Sequence, residues 1–124
     1  MIDLSVKFCG VKFLNPLVLA SGILGLTAAS WRNVIKNGAG GIITKSLWLT
    51  EHIGHENPVI IANEHYMLNA VGLPDAGIEK AEEEIGKYLD WKLRAPLIAN
   101  IVAGSVGDFG KLAEKIARMK PHLI

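Results

Sequence analysis

The chain has one cysteine, Cys9, so it cannot form an internal disulfide. It has no large excess of either charge, since 13 Lys and Arg side chains are set against 12 Asp and Glu, and no basic cluster suggests nucleic-acid binding. Its longest apolar stretch, residues 16–29, is interrupted by Ser21, Gly22 and Gly25 and falls short of the ~20 apolar residues that span a bilayer. These absences predict no nucleic-acid or membrane partner and a reducing, cytoplasmic location.

No signal peptide is expected at the N-terminus, because an acidic residue, Asp3, follows closely on Met1 and no long apolar segment comes after it. Half of the 124 residues are hydrophobic (50%) and 20% are charged, which is typical of a folded domain rather than a disordered chain. There is no internal repeat and no low-complexity segment. The composition therefore predicts a folded globular protein.

Short apolar segments alternate with segments of helical periodicity along the chain. Val and Phe alternate with Lys on both sides of Cys9-Gly10, which predicts a β-hairpin over residues 5–13. A long loop is expected over residues 47–77, with a possible strand at 59–61. Further strands are predicted at residues 17–20, 41–44 and 97–101 and from residue 122 onward, and helices at 27–36, 77–90 and from the Ser105 cap to Pro121.

Strands that alternate with amphipathic helices predict a parallel sheet with its helices on one face. A complete (β/α)₈ barrel needs about 250 residues, whereas this chain holds three units and the start of a fourth. We therefore expect an α/β fold, in which residues 1–124 form the N-terminal half of a single TIM (β/α)₈ barrel behind an N-terminal β-hairpin. The third helix is expected to bury an apolar stripe formed by Val106, Phe109, Leu112, Ile116 and Met119. Trp31 and Trp91 are interpreted as packing residues at helix margins.

Polar residues follow each predicted parallel strand, where ligands bind in parallel α/β folds. They are Ser21 after the first strand, Lys45 and Ser46 after the second, and Asn100 in the third. Residues 67–74 add an amide side chain and a run of backbone N–H groups suited to an anion. The alternative is that small polar residues merely satisfy loop backbone, but Lys is rarely buried without a partner.

Two other features have simpler explanations. His52 and His55 lie close to Glu51 and Glu56 in a pattern that resembles metal-ligand spacing, but they lack the i, i+4 helical geometry of a zincin motif. We interpret them as solvated loop histidines and expect no metal site. Cys9 lies in the predicted hairpin turn, remote from the strand ends, so no catalytic role is expected for it.

Three spaced motifs resemble class 1 dihydroorotate dehydrogenases, and the NAD-linked subgroup most of all. They are Asn15-Pro16-Leu17-Val18-Leu19-Ala20-Ser21-Gly22, Gly38-Ala39-Gly40-Gly41-Ile42-Ile43-Thr44-Lys45-Ser46 and Met67-Leu68-Asn69-Ala70-Val71-Gly72-Leu73-Pro74. The likeness extends over essentially the whole chain in the same order. It implies the N-terminal portion of an FMN-binding barrel that oxidises dihydroorotate to orotate in pyrimidine biosynthesis and passes the hydride to FMN.

The resemblance also implies roles for single residues. Those expected to contact FMN are Ala20, Ser21, Gly22, Lys45, Ser46 and Asn100; those expected to contact dihydroorotate or orotate are Lys45, Asn69, Ala70, Val71, Gly72 and Leu73. No catalytic residue is expected in this chain, because the family's cysteine base follows the fourth strand and would lie beyond Ile124. We therefore expect the 124-residue chain alone to be inactive.

The resemblance implies partners too: an electron-transfer subunit with FAD and an iron–sulfur cluster, in a homodimer or heterotetramer.

Trp48 and Asp75 depart from the family pattern, which often has an asparagine at the position of Asp75. The segment 63–66 departs from it as well. Two alternatives stay open. One is another FMN-barrel oxidoreductase acting on a different pyrimidine or enone, and the other is an inactive, truncated barrel fragment.

Overall fold

The structure, a computed structural model, describes residues 2–22 and 24–124. Strands and helices alternate over most of the chain, which makes the fold a mixed α/β architecture, as predicted. The elements are β1 (Val6–Phe8), β2 (Val11–Phe13), β3 (Val18–Leu19), α1 (Ala28–Lys36), β4 (Gly41–Ile43), β5 (Ile60–Ala62), β6 (Met67–Asn69), α2 (Ile78–Asp90), β7 (Leu97–Ile98) and α3 (Val106–Met119).

The predicted N-terminal hairpin is confirmed. Strands β1 and β2 pair antiparallel, with Val6 opposite Phe13. The turn between them places Cys9 at φ +48° and Gly10 at φ +80°, the two positive values that a tight two-residue hairpin turn requires. Phe13 is buried and its ring lies against Gly41, where an added Cβ would come within 2.6 Å of it. The hairpin is therefore anchored to the parallel sheet through Phe13.

The parallel sheet has the strand order β3-β4-β7, so strands adjacent in space follow one another along the chain. Val18 pairs with Gly41, and Ile42 pairs with Leu97. Leu123 forms a parallel bridge to Ile98, which agrees with the predicted start of a further strand. Within the described residues these strands form an open sheet and do not close into a barrel.

Helix α3 begins at the predicted Ser105 cap, and α1 begins after Thr27, where the predicted helix starts. The Thr27 hydroxyl accepts a hydrogen bond from the Ser30 N–H at 3.2 Å, and the Ser105 hydroxyl accepts one from the Asp108 N–H at 3.1 Å. A carboxylate oxygen of Glu84 on α2 accepts a bond from the Ala28 N–H at 2.7 Å. Side-chain caps therefore start both helices, and Glu84 also ties α1 to α2.

The hydrophobic core lies between the helices and one face of the sheet. The Trp31 and Tyr88 rings meet edge to face, 5.8 Å apart, and the buried Tyr88 hydroxyl donates to the Ala95 carbonyl at 2.8 Å. Trp31 is a packing residue, as predicted, whereas Trp91 is partly exposed and lies under the Arg32 guanidinium. The core cluster comprises Ala28, Trp31, Ile42, Leu47, Ile78, Ile85, Tyr88, Leu97, Ala99, Leu112 and Ile116.

The stripe predicted for α3 is wrong in its first turns. Leu112 and Ile116 are fully buried and Met119 packs against the core, but Val106 is 90% exposed and Phe109 is 40% exposed. Only the middle and last turns of α3 reach the core cluster, so helical spacing alone overestimates the buried surface.

The long segment after β4 contains an unpredicted hairpin. Ile60–Ala62 (β5) and Met67–Asn69 (β6) pair antiparallel, with Ile61 opposite Leu68, where the sequence suggested at most one strand. The Asn63 side chain builds the turn, because its Oδ1 accepts hydrogen bonds from the backbone N–H groups of His65 and Tyr66. Every residue of both strands is exposed, so the alternation of buried and exposed positions that marks a strand is missing here.

In the part of the chain that the structure describes, no helix has both the length and the apolar character needed to cross a bilayer.

Candidate functional site

Three strand ends meet at one polar cluster. The Asn100 side-chain amide donates to the hydroxyl of Ser21 at 2.9 Å and to the hydroxyl of Ser46 at 2.8 Å. Ser21 follows β3, Ser46 follows β4 and Asn100 follows β7. The predicted convergence of these residues therefore exists in the structure, because adjacent parallel strands end at the same edge of the sheet.

Thr44 holds the backbone of Asn100 in this cluster. The sequence analysis did not predict that role. It is completely buried, and its hydroxyl accepts a hydrogen bond from the Asn100 N–H at 3.0 Å. The Asn100 carbonyl in turn accepts from the Leu47 N–H at 2.9 Å. A threonine at the end of a buried strand, just before Lys45, is the signal that could have identified this support.

Lys45 is a half-buried cation at the same edge. Its backbone N–H donates to the Gly25 carbonyl at 2.9 Å, and an added Cβ on Gly25 would come within 2.8 Å of that nitrogen. Within residues 2–22 and 24–124, no carboxylate forms an ion pair with the Lys45 ammonium. A half-buried lysine without a protein counter-charge is suited to bind an anionic ligand.

A cavity of about 420 Å³ opens beside Lys45. A volume of this order is typical of pockets for small ring-shaped molecules. The strand ends supply polar atoms on one side, and the loop after β6 supplies an apolar wall on the other. The lining residues are Ser21, Gly22, Leu24, Leu26, Lys45, Ser46, Val71, Leu73 and Pro74.

Several predicted site residues do not line this cavity. Ala20, Asn69, Ala70, Gly72 and Asn100 are outside its lining, although Asn100 contacts two lining serines. Asn69 ends the exposed strand β6, and the Ala70 N–H donates to the Val59 carbonyl at 2.8 Å. Gly72, at φ +77°, packs against His55, which an added Cβ would approach to 2.7 Å, so this glycine is required by loop packing.

The groups with perturbed pKa values lie outside the cavity lining. The Lys87 ammonium and the Ala28 N–H lower the pKa of Glu84, and burial raises the pKa of Tyr88 to about 12. Partial burial lowers the pKa of His122, whose Nδ1 accepts from the Leu97 N–H. These are structural groups, and none of them offers a base or an acid to the cavity.

Comparison with known proteins identifies the family. The family model described as dihydroorotate dehydrogenase matches residues 3–123. The chain belongs to the dihydroorotate dehydrogenase family. Among curated relatives, the catalytic subunit of dihydroorotate dehydrogenase B (NAD(+)) from Pyrococcus abyssi is 40% identical over 116 residues, which cover 94% of this chain and 38% of that protein. The subunit of the same name from Methanocaldococcus jannaschii is 38% identical over 117 residues, with 93% and 38% covered.

The chain therefore spans a little over a third of the length of the relatives it matches. The resemblance inferred from the three motifs is confirmed at the level of the family. The names of both relatives describe a catalytic subunit.

Trp48 and Asp75, which the sequence analysis interpreted as departures from the family pattern, lie in contact beside the cavity. The Trp48 indole N–H donates to the Leu73 carbonyl at 2.9 Å, and the Trp48 backbone N–H donates to Asp75 Oδ1 at 3.2 Å. The same carboxylate oxygen accepts from the Gly77 N–H at 2.9 Å, just before α2. Sequence reasoning noted both substitutions but could not predict that they are in contact.

The histidines of the loop have packing roles in this member of the family. The His52 ring stacks on Trp48 with centroids 4.3 Å apart, and the His55 N–H donates to the Val71 carbonyl at 3.2 Å. Across residues 2–22 and 24–124, no three His, Cys, Asp or Glu side chains are grouped closely enough to hold a metal ion. Cys9 is exposed in its hairpin turn and does not line the cavity.

Proposed function

We propose that this chain forms the N-terminal part of the FMN-binding (β/α)₈ barrel of a dihydroorotate dehydrogenase. The observation that carries the proposal is the half-buried Lys45, without a counter-charge among the described residues, beside a cavity edged by Ser21 and Ser46. Family membership and the shorter length relative to the matched proteins support the assignment of residues 1–124 to the first half of a longer domain, up to the start of its fourth parallel strand.

The residues at the strand ends fit a flavin ring. Bound FMN supplies the oxidant, since its isoalloxazine accepts a hydride. Ser21, Ser46 and Asn100 present hydroxyl and amide groups that hydrogen-bond the polar edge of a heterocycle. Ala20 and Gly22 bring backbone close to the ring, and Gly22, at φ +114°, has open space where a Cβ would stand. Lys45 adds a positive charge that favours reduction of the ring.

The loop after β6 forms the substrate side of the proposed site. Lys45 attracts the carboxylate of dihydroorotate or orotate, and Val71 and Leu73 form the wall that faces it. We assign Asn69, Ala70 and Gly72 to the same substrate loop, with Asn69 as a hydrogen-bonding side chain. Because Asn69 and Ala70 are exposed outside the lining of the cavity, their contacts require the loop to close over the substrate.

The proposed reaction removes a proton from C5 of dihydroorotate and a hydride from C6, which leaves the C5–C6 double bond of orotate. No cysteine, histidine, aspartate or glutamate is among the described residues that line the cavity, and the class 1 enzymes that the chain resembles use a cysteine base. We therefore propose that the base is a cysteine beyond Ile124 and that the 124-residue chain alone is inactive.

The names of the relatives also support a proposal about assembly. They are catalytic subunits of an NAD(+)-dependent enzyme. We propose that the complete protein passes its electrons to a second subunit carrying FAD and an iron–sulfur cluster, in a homodimeric catalytic core or a heterotetramer, in the cytoplasm.

The deciding experiment uses the complete protein that contains this chain. We expect a flavin absorbance spectrum, bleaching of that spectrum by dihydroorotate without oxygen, and formation of orotate. Dihydrouracil, which lacks the carboxylate, and a cyclic enone are the comparison substrates. Absence of flavin, or no orotate formed, would refute the proposal; faster oxidation of dihydrouracil than of dihydroorotate would favour the other FMN-barrel activity.

A further inference from the structure

The loop that provides the apolar wall of the cavity contains two consecutive residues in the left-handed region. Gly72 has φ +77° and Leu73 has φ +50°. Glycine adopts this conformation freely, but a leucine does so at an energetic cost, which surrounding contacts have to offset. The backbone at Leu73 therefore keeps its shape only if neighbouring groups hold it there.

Trp48 supplies the contact at Leu73. Its indole N–H donates to the Leu73 carbonyl at 2.9 Å, across 25 positions of sequence. The ring cannot swing away easily, because one face stacks on His52 at 4.3 Å with an interplanar angle of 19°. The hydrogen bond thus connects the segment after β4 directly to the cavity wall.

Asp75 provides a second anchor on the same wall. Its backbone and that of His52 exchange two hydrogen bonds, of 2.8 and 2.9 Å, and its Oδ1 accepts from the N–H groups of Trp48 and Gly77. Trp48 is therefore held by its ring and by its main chain. Because Trp48 is held in this way, its indole N–H fixes the position of the Leu73 carbonyl that it binds.

We propose that Trp48 is a positioning residue for substrate binding, which acts by holding the Val71–Leu73 backbone in the shape that faces the dihydroorotate ring. This inference rests on the proposed function. It assigns a role to the indole N–H donor of Trp48. Because Trp48 does not line the cavity, it acts through Leu73 and not by touching the substrate.

The test is Trp48→Phe in the complete protein, because phenylalanine keeps an aromatic face for His52 and removes the N–H donor together with one ring of the indole. Loss of one such hydrogen bond is expected to raise the KM for dihydroorotate and the Kd for orotate about three- to tenfold. The kcat should change less than about twofold, and bound flavin should match the wild type. The matched control is Trp91→Phe, which replaces a tryptophan outside the cavity lining and should leave the KM, the Kd, the kcat and the bound flavin unchanged.

A Trp48→Phe enzyme with wild-type KM and Kd would overturn the inference while the proposed function stands. A wild type that binds no flavin or forms no orotate would overturn the proposed function, and this inference with it. If the variant does not fold, hydrogen exchange of the indole N–H groups in the wild type decides. Slower exchange at Trp48 than at Trp91 supports the inference, and equal exchange overturns it, because Trp91 Nε1 has no acceptor among the described residues.

Discussion

The two sides of the cavity are built in different ways. The Lys45 side rests on the ends of β4 and β7, which are held by parallel pairing and by a buried core that includes Ile42 and Leu97. The opposite side follows the exposed hairpin β5–β6, and its shape depends on a few polar contacts from Trp48 and Asp75. The Lys45 side is a rigid wall, because strand pairing and core packing fix its backbone. The opposite wall depends on individual hydrogen bonds.

On the proposed function, this difference separates two tasks of the site. A cofactor that stays bound benefits from groups placed by the sheet, whose local unfolding is costly. A substrate that enters and leaves benefits from a wall that can open, and exposed segments with few apolar contacts open more readily. On that proposal, the polar cluster of Ser21, Ser46 and Asn100 serves the cofactor and the Val71–Leu73 wall serves the substrate.

The largest expected effect comes from truncating the core under the rigid wall. Ile42 is fully buried, so Ile42→Ala in the complete protein should lower the free energy of unfolding by about 3 kcal/mol, measured by denaturant titration. The matched change on the hairpin is Ile61→Ala, at a side chain that is 61% exposed, and it should cost less than about 0.5 kcal/mol. Similar losses at both positions would contradict the comparison and indicate that the hairpin is covered in the complete protein.

The rigid wall was also the more predictable one from the sequence. Apolar segments at residues 17–20 and 41–44, each followed by a helix, dictate parallel strands whose ends meet. The approach of Ser21, Ser46 and Asn100 follows from that topology alone. The family motifs then added the chemistry of Lys45.

The second wall could not be predicted, for physical reasons. Both strands of the β5–β6 hairpin are exposed, so no pattern of alternating burial marks them, and the sequence analysis did not predict the turn that Asn63 builds. The bond between Trp48 and Leu73 joins loop residues distant in sequence, which periodicity does not encode. Val106 was expected to be buried from the spacing of apolar residues in its helix. Its exposure depends instead on where the neighbouring elements end, which that spacing does not encode.

An intermediate effect is expected from removing the charge of the rigid wall. On the proposed function, Lys45→Ala should slow flavin reduction by dihydroorotate about 100-fold, equivalent to about 2.7 kcal/mol, because developing negative charge on the flavin loses its cation. Stopped-flow absorbance of the complete protein measures this rate. Lys12→Ala, on the hairpin β1–β2, is the control and should have no effect. Unchanged kinetics in Lys45→Ala would refute the role given to this lysine.

The smallest expected effect concerns pH and the edge of the parallel sheet. His122 Nδ1 accepts a hydrogen bond from the Leu97 N–H at 3.1 Å, so the neutral ring suits the fold. Although part of the ring is exposed, desolvation lowers its pKa from the ordinary 6.5. A lowered pKa in the folded state means that the stability is complete above about pH 6.5 and declines as the pH falls through the folded value.

Thermal unfolding of the complete protein between pH 5 and 8 checks this, with His122→Gln compared against the wild type. The variant should lose part of the decline in melting temperature below pH 6.5, because glutamine does not titrate. His65→Gln, in the turn of the exposed hairpin β5–β6, should keep the whole decline, since the His65 side chain is 78% exposed. If His65→Gln removed the decline in melting temperature and His122→Gln did not, the pH sensitivity would come from the hairpin β5–β6. His122 at the edge of the parallel sheet would then not be its source.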